Sequence, residues 1–372
     1  MTQKARILTF EETLEVLRSV SPFDENGNPK DRKDRWGLLS INSYGDEWID
    51  AVLYSSAKHK TPIAVVSSPG GFKGWGAGDV IAGMMAAAAR LEIFGKRTGT
   101  FDGQSFDDAR IIFGGDHKDA PKYYLDPVKK EKNPNYEKEC DKLMAEAEEA
   151  MSMPEVSIYM FDGAHLPDLD ENIRITKALV ELGKKYGVAV EGELTATAGI
   201  EDGREYKAED LEGKSAERYV GQICDFIEAT GVVAIAFDVG SGHGRRVGEN
   251  IIRTDLVEIY CKEANRRGCL VPFVLHGGTG VPDETVREYI GYLGKINKAT
   301  IGKNLVTQGR LLFCCEHARG ILGLEGISDK EIYKATKPGD HFLAGALPLA
   351  RQIEEFVELA NCENRSVELG LI

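Results

Sequence analysis

Eight short apolar runs, rich in β-branched residues, punctuate the chain: WGLLSIN (36–42), PIAVVSS (62–68), RIIFGGDH (110–117), VSIYMFDG (156–163), VAVEGEL (188–194), VVAIAFDVG (232–240), LVPFVLHG (270–277) and KINKATIG (295–302). Most are continuously apolar rather than alternating, which is the pattern of strands covered on both faces in a parallel sheet. Segments with apolar residues three and four apart lie between and after them, among them EWIDAVLYSSAKH, VIAGMMAAAARLEIF, CDKLMAEAEEAM, ENIRITKALVELGKKYG, DETVREYIGYLG and QGRLLFCCEHARGIL. Several helical segments are closed by glycine, a helix stop signal. Eight strands alternating with eight helices predict an α/β fold, a (β/α)8 TIM barrel. An open doubly wound sheet competes with it, but no G-x-G-x-x-G follows an early strand, and 372 residues would then require a linker or second core.

The reading is one domain over 1–372, with a barrel core at about 34–322 and a C-terminal helical extension over 323–372 that contains LARQIEEFVELA. The polar stretch KDAPKYYLDPVKKEKNPNYEKE (118–139) forms a long loop after the third strand, on the side where barrels carry lids and substrate loops. EGISDKEIYKATKPGDH (325–341) separates the barrel from the last helix.

Composition excludes several classes. A net charge of −14 argues against a nucleic-acid surface spread over the molecule, while leaving room for a local basic pocket. The N-terminal MTQKARILTFEETLEVL has no long apolar run, and no helical segment reaches the roughly 20 apolar residues that a membrane span needs. Seven cysteines, with no C-x-x-C and with Cys314 beside Cys315, suggest free thiols in a reducing cytoplasm.

Three of the seven histidines, His117, His243 and His276, fall at the C-terminal ends of the third, sixth and seventh strands. A barrel gathers those ends on one face, where its active sites lie. A strand-end histidine often does no more than satisfy nearby backbone groups. Three at one mouth instead suit Zn²⁺ or another divalent transition metal, with a fourth position left open for catalysis. Asp116 precedes His117, and on an extended strand the two side chains diverge unless the strand bends at Gly114 and Gly115. A carboxylate beside the metal can shuttle a proton. Glu191 and Glu193 share a face by the two-residue period, and either can reach the metal region. Glu201 and Asp202 lie in a glycine-flanked loop and read equally as a base delivered by loop closure or as solvated acids. Gly277 and its neighbours in HGGTG, with Thr279, and Gly244 in GSGHG let backbone N–H groups approach a phosphate. Arg245, Arg246, Lys298 and Lys303 are nearby candidates to supply charge.

Taken in order, GGDH, EGEL, AGIEDG, GSGHG, HGGTG and KINKAT resemble the class II, metal-dependent ketose-bisphosphate aldolases from about Asn42 to Thr300. The resemblance implies a metal held by His117, His243 and His276, with Glu193 an additional or alternative ligand. It assigns proton exchange at the C4 hydroxyl to Asp116 and proton removal from the nucleophilic carbon to Glu201. It makes Asn42, Ser68 and Asn297 substrate contacts, and Gly244, Gly277, Thr279 and Thr300 a phosphate cradle. The implied reaction is cleavage or formation of the C3–C4 bond of a phosphorylated ketose, fructose bisphosphate or tagatose bisphosphate, by a cytoplasmic homodimer or homotetramer. Ala299 stands where fructose-bisphosphate aldolases tend to carry aspartate, as in the tagatose enzymes. Val247 replaces a frequent basic residue, and Leu343 replaces an arginine expected for the second phosphate. Losing a bidentate donor weakens the case for a bisphosphate and keeps open a sugar without the second phosphate.

Other readings use the same residues differently. A class I aldolase would take Lys295 or Lys298 as Schiff-base nucleophile and leave the histidines idle. A zinc hydrolase would need no phosphate cradle, and a non-catalytic sugar-phosphate-binding barrel would not need both Asp116 and Glu201.

Overall fold

The computed structural model describes residues 5–42, 46–67, 106–126, 129, 131–164, 166, 169–194, 213–241, 251–298 and 338–372. Eight strands lie within the apolar runs or overlap them: β1 (Leu38–Asn42), β2 (Pro62–Ser67), β3 (Arg110–Asp119), β4 (Ile158–Asp162), β5 (Ala189–Glu193), β6 (Ala234–Ala236), β7 (Val274–Leu275) and β8 (Lys295–Lys298). They pair in parallel in the order β7-β8-β1-β2-β3-β4-β5-β6. A parallel bridge between Ile235 and Phe273 joins the two ends, with the Ile235 N–H donating to the Pro272 carbonyl at 3.0 Å. The result is a nearly closed eight-stranded α/β barrel.

Several elements depart from the sequence reading. Strands β6 and β7 are shorter than their apolar runs. Pro272 has no N–H to give to a ladder, and the Asp238 carboxylate accepts the Gly240 N–H at 2.9 Å in an Asx turn that leads the chain out of β6. Strand β3 is longer, running on to Asp119. Within 118–139 the chain folds a small antiparallel hairpin, Tyr124–Asp126 against Glu131–Lys132, rather than an unbroken loop.

The helices are α1 (Phe10–Ser19), α2 (Asp46–His59), α3 (Tyr136–Met151), α4 (Leu169–Tyr186), α5 (Lys214–Thr230), α6 (Thr254–Arg267), α7 (Asp283–Glu288), α8 (Pro338–Leu359) and α9 (Arg365–Glu368). Helix α7 ends well before Gly294, because Gly291 and Gly294 adopt left-handed φ of +87° and +52°. Helix α8 starts at Pro338, earlier than its apolar pattern suggests, with proline in the first turn, where a missing N–H costs nothing. It packs along α2, where Lys58 pairs with Glu354 at 2.8 Å. The segments VIAGMMAAAARLEIF and QGRLLFCCEHARGIL lie outside the described residues. Among the described residues no helix is long and apolar enough to cross a membrane.

Strand register fixes which side chains share the inner face. The partners Lys295–Leu38, Asn297–Ser40, Ser40–Ala64, Gly114–Val66, Met160–Glu191, Glu193–Asp162, Glu191–Ala234 and Val274–Lys295 place these residues in one alternating set. Ala234, Ala236 and Val274 form a small apolar cluster separate from the main helix-sheet core. In the same layers as these small residues, the interior holds charged and polar side chains.

Candidate active site

Carried to the strand ends, that register brings Asn42, Asp116, Asp162, Glu193, His276 and Asn297 to one face at the barrel's C-terminal mouth. His117 has the wrong parity for it. The chain corrects this with one extra residue: Gly115 pairs with Tyr159 but Lys118 pairs with Phe161, so β3 carries a bulge between them. Inside that bulge His117 takes a left-handed φ of +51°, sparsely populated for a residue with a side chain. Gly114 is required just before it, since a Cβ there would overlap the Ile158 carbonyl of β4. The bend expected at the two glycines is thus a bulge one residue later, and it lets adjacent Asp116 and His117 face one site.

The rings of His117 and His276 lie 4.3 Å apart, centroid to centroid. Glu193 sits beneath both, its Oε2 3.5 Å from His276 Nδ1 and 3.9 Å from His117 Nδ1. Asp162 Oδ2 is 3.7 Å from His117 Nδ1. Asp116, His117 and His276 offer ligand atoms within 4.8 Å of one another, and so do His117, Asp162 and Glu193. Asp162 was not among the residues singled out in the sequence. It closes the apolar run VSIYMFDG, and the strand-end logic that found the histidines applies equally to it.

Electrostatics at this mouth favour a cation. Burial alone would lower the His117 pKa, but Asp116, Asp162 and Glu193 outweigh it and push the imidazole up to about 10. Asp116 Oδ1 and Asn297 Oδ1 are buried without a hydrogen-bond partner among the described residues, an uncommon condition unless a ligand completes it. Imidazole and carboxylate donors together suit a first-row divalent ion such as Zn²⁺. His117, His276 and Glu193, with Asp116 and Asp162 alongside, therefore fit such an ion.

The surrounding shell is specific. Asn172, buried on α4, donates to the carbonyls of Glu193 at 2.8 Å and Gly163 at 3.3 Å, tying together the ends of β4 and β5 that carry Asp162 and Glu193. Thr176 donates back to the Asn172 side-chain oxygen at 2.9 Å, fixing the amide orientation. After His276 the chain turns through Gly277, at φ +64°, into a short 3₁₀ turn over Gly278–Gly280. Gly278 has a packing reason beyond any phosphate, because a Cβ there would press on the Asn297 carbonyl at 2.6 Å.

One layer deeper, Lys295 Nζ contacts both Glu191 oxygens at 2.8 and 2.7 Å, with each side chain 1% exposed. Both oxygens of one carboxylate thereby engage the Lys295 amine, which points it at Glu191 and away from any substrate carbonyl it would have to attack as a Schiff-base nucleophile. The side chain of Lys298 lies outside the described residues, as do Ser68, Glu201, Asp202, His243, Gly244, Arg245, Arg246, Ala299, Thr300 and Lys303. Of the three histidines read as one cluster, two are therefore described, and they are together.

Comparison with known proteins agrees with the geometry. The sequence profile of the family described as "Fructose-bisphosphate aldolase class-II" matches residues 30–365. Among curated relatives, the 6-phospho-5-dehydro-2-deoxy-D-gluconate aldolase of Shouchella clausii is 37% identical over 150 residues, 40% of this chain and 45% of that protein. The protein of the same name from Bacillus velezensis is 33% identical over 134 residues, 36% of this chain and 42% of its own length. The chain thus spans less than half the length of these relatives. Among solved structures, the fructose-bisphosphate aldolase of Campylobacter jejuni superimposes with a TM-score of 0.64 at 16% identity, covering 97% of both chains. The YdjI aldolase of Escherichia coli gives 0.50 at 18% identity, covering 88% of this chain and 92% of that one. At such identities the structures speak for the shared fold.

Proposed function

The chain belongs to the class II fructose-bisphosphate aldolase family, and from that premise we propose that it is a carbon–carbon lyase acting on a phosphorylated ketose. The observation that carries this is the meeting of His117 and His276, 4.3 Å apart, over the buried carboxylate of Glu193. His117, His276 and Glu193 would hold the divalent ion, with His243 as a further ligand. When bound, the ion supplies Lewis acidity at the substrate carbonyl.

The remaining work falls to the chain. Asp116 exchanges a proton with the C4 hydroxyl as the C3–C4 bond breaks or forms. Glu201 removes the proton from the carbon that becomes nucleophilic. Asn42, Ser68 and Asn297 orient the substrate, and Gly244, Gly277, Thr279 and Thr300 hold its phosphate. Asp162 and Asn172 act behind them, by charge and by tying strand ends.

Fructose bisphosphate or tagatose bisphosphate is the first substrate reading. A second is favoured by the relatives' names, which describe a singly phosphorylated keto acid, and by Leu343, which offers no guanidinium for a second phosphate. Cleavage is to be assayed across ketose mono- and bisphosphates epimeric at C4, together with 6-phospho-5-dehydro-2-deoxy-D-gluconate. Chelation is expected to abolish cleavage and Zn²⁺ or Co²⁺ to restore it, and borohydride with substrate should label no lysine. Full activity after thorough metal removal would refute the reading. The assembly is proposed to be a homodimer or homotetramer, working in the cytoplasm.

A further inference from the structure

Strand β5 presents two inward carboxylates two residues apart, Glu191 and Glu193, both 1% exposed. By residue type and face, either is suited to a divalent ion. Only Glu193 stands with the imidazoles. Glu191 is taken by Lys295, whose ammonium lies 2.8 and 2.7 Å from its two oxygens. The layer around this pair supplies no other charge from its neighbouring strands, since Glu191 pairs across with Ala234 and Met160, and Lys295 with Val274 and Leu38. An ion pair enclosed by apolar groups interacts with charges above it through a medium that screens poorly.

Lys295 stands on the last barrel strand and Glu191 on the fifth, so the pair spans the interior directly below the mouth. Without its partner, Glu191 would be a second carboxylate of β5 open to a divalent ion, beneath Asp116, Asp162 and Glu193. Without Glu191, the ammonium would push against any cation above it. A buried pair of this kind is costly in stability compared with well-packed apolar residues, so its presence calls for a reason other than holding the barrel together.

We propose that Lys295 is a positioning residue: by closing on Glu191 one layer beneath the mouth, it leaves Glu193 as the single carboxylate of its strand that serves the divalent ion, and the balance of the pair sets how tightly that ion is held. The inference rests on the metal-dependent reading above. It predicts opposite effects for the two halves of the pair, which a merely structural role does not.

The test is titration of chelator-treated full-length protein with Co²⁺ alone at neutral pH, followed by calorimetry and by the visible absorption of the bound ion. The proteins compared are wild type, Lys295→Met, Glu191→Gln and the double variant. Lys295→Met is expected to bind about tenfold more tightly and Glu191→Gln about tenfold more weakly, the scale at which groups behind metal ligands act. Lys295→Met should also change the visible spectrum, as a deeper carboxylate joins the ion. The double variant should return to within about threefold of wild type, because both charges are gone. Any other ordering of the affinities overturns the proposal. If Lys295→Met does not fold, the pair Glu191→Gln and the double variant decides alone: weaker binding relieved in the double variant supports it, and equal binding by the two overturns it. Wild-type protein that binds no divalent ion would instead refute the metal reading itself, which separates the two failures.

Discussion

At the scale of single residues, the proposed reaction divides labour at the mouth between groups that hold charge and groups that move protons. Asp116 keeps one buried oxygen without a hydrogen-bond partner among the described residues, beside His117 and within ligand range of His276. Asp116→Asn keeps the shape and removes the proton acceptor. Cleavage should fall by about 10² to 10⁴ in kcat, the usual weight of a general acid–base group, while zinc content measured by atomic absorption stays near wild type. Loss of metal in step with activity would make Asp116 a ligand rather than a proton carrier. Asp238, at the exit of β6, gives a separate test of how burial acts near this face. Burial raises its pKa to about 6, against the opposing hydrogen bond from the Gly240 N–H. The folded protein therefore holds the Asp238 proton more tightly than the unfolded chain does. The resulting contribution to stability is complete below about pH 4, the ordinary aspartate range, and is lost as pH rises through 6. Asp238→Asn removes this dependence and can still accept from Gly240. Urea midpoints should place the variant higher, relative to wild type, at pH 7 than at pH 4; an equal difference at both would contradict the assignment.

At the scale of elements, strand β3 is where local chemistry departs from a regular ladder. A plain strand of ten residues would send Asp116 inward and His117 outward. The bulge after Gly115 and the left-handed His117 put both on the same side. Gly114→Ala places a methyl group against the backbone carbonyl of Ile158, so β3 and β4 must separate just ahead of the ends that carry Asp116 and Asp162. The variant should lose about 1–3 kcal/mol of stability by denaturant unfolding and bind metal more weakly than a surface glycine variant of equal stability. Unchanged metal affinity would mean that the bulge tolerates a register shift. The same strand shows how far sequence alone can go. Continuous apolar runs mark the barrel, and strand-end position marks His117 and His276 together with His243, which lies outside the described residues; the two-residue period leaves Glu191 and Glu193 open, and the family resemblance selects Glu193. Period-two reasoning exposed the conflict between Asp116 and His117, but its resolution depended on the partner strand's register, which sequence does not carry. Asp162 was legible by position but lacked the rarity that makes histidine stand out. The Glu191–Lys295 pair joins residues 104 apart in sequence, and no local pattern marks such a contact.

At the scale of the whole molecule, folding gathers negative charge that the unfolded chain keeps apart. Asp116, Asp162 and Glu193 converge in a chain of net charge −14, and among the described residues imidazoles and a neutral ion pair lie close by to offset them. In the absence of a cation, His117 must carry a proton to balance the cluster, up to about pH 10. A divalent ion would replace that proton and bind the folded state alone, since the strand ends that supply His117, Glu193 and His276 come together only in the closed barrel. Linkage then converts occupancy into stability, about 2.7 kcal/mol when free ion exceeds its dissociation constant 100-fold. For a chain of this size that corresponds to a rise of a few degrees in thermal midpoint. Scanning calorimetry of chelator-treated protein, repeated across buffered free Zn²⁺ concentrations, should show the midpoint climbing with the logarithm of ion concentration. Mg²⁺ at the same free concentrations should do far less, because imidazole donors favour the softer ion. His276→Ala should flatten the zinc response while leaving the strands' apolar packing in place. A midpoint indifferent to zinc in the wild-type protein would mean that the buried carboxylates are balanced by protons alone, and the mouth would lose its reading as a metal centre.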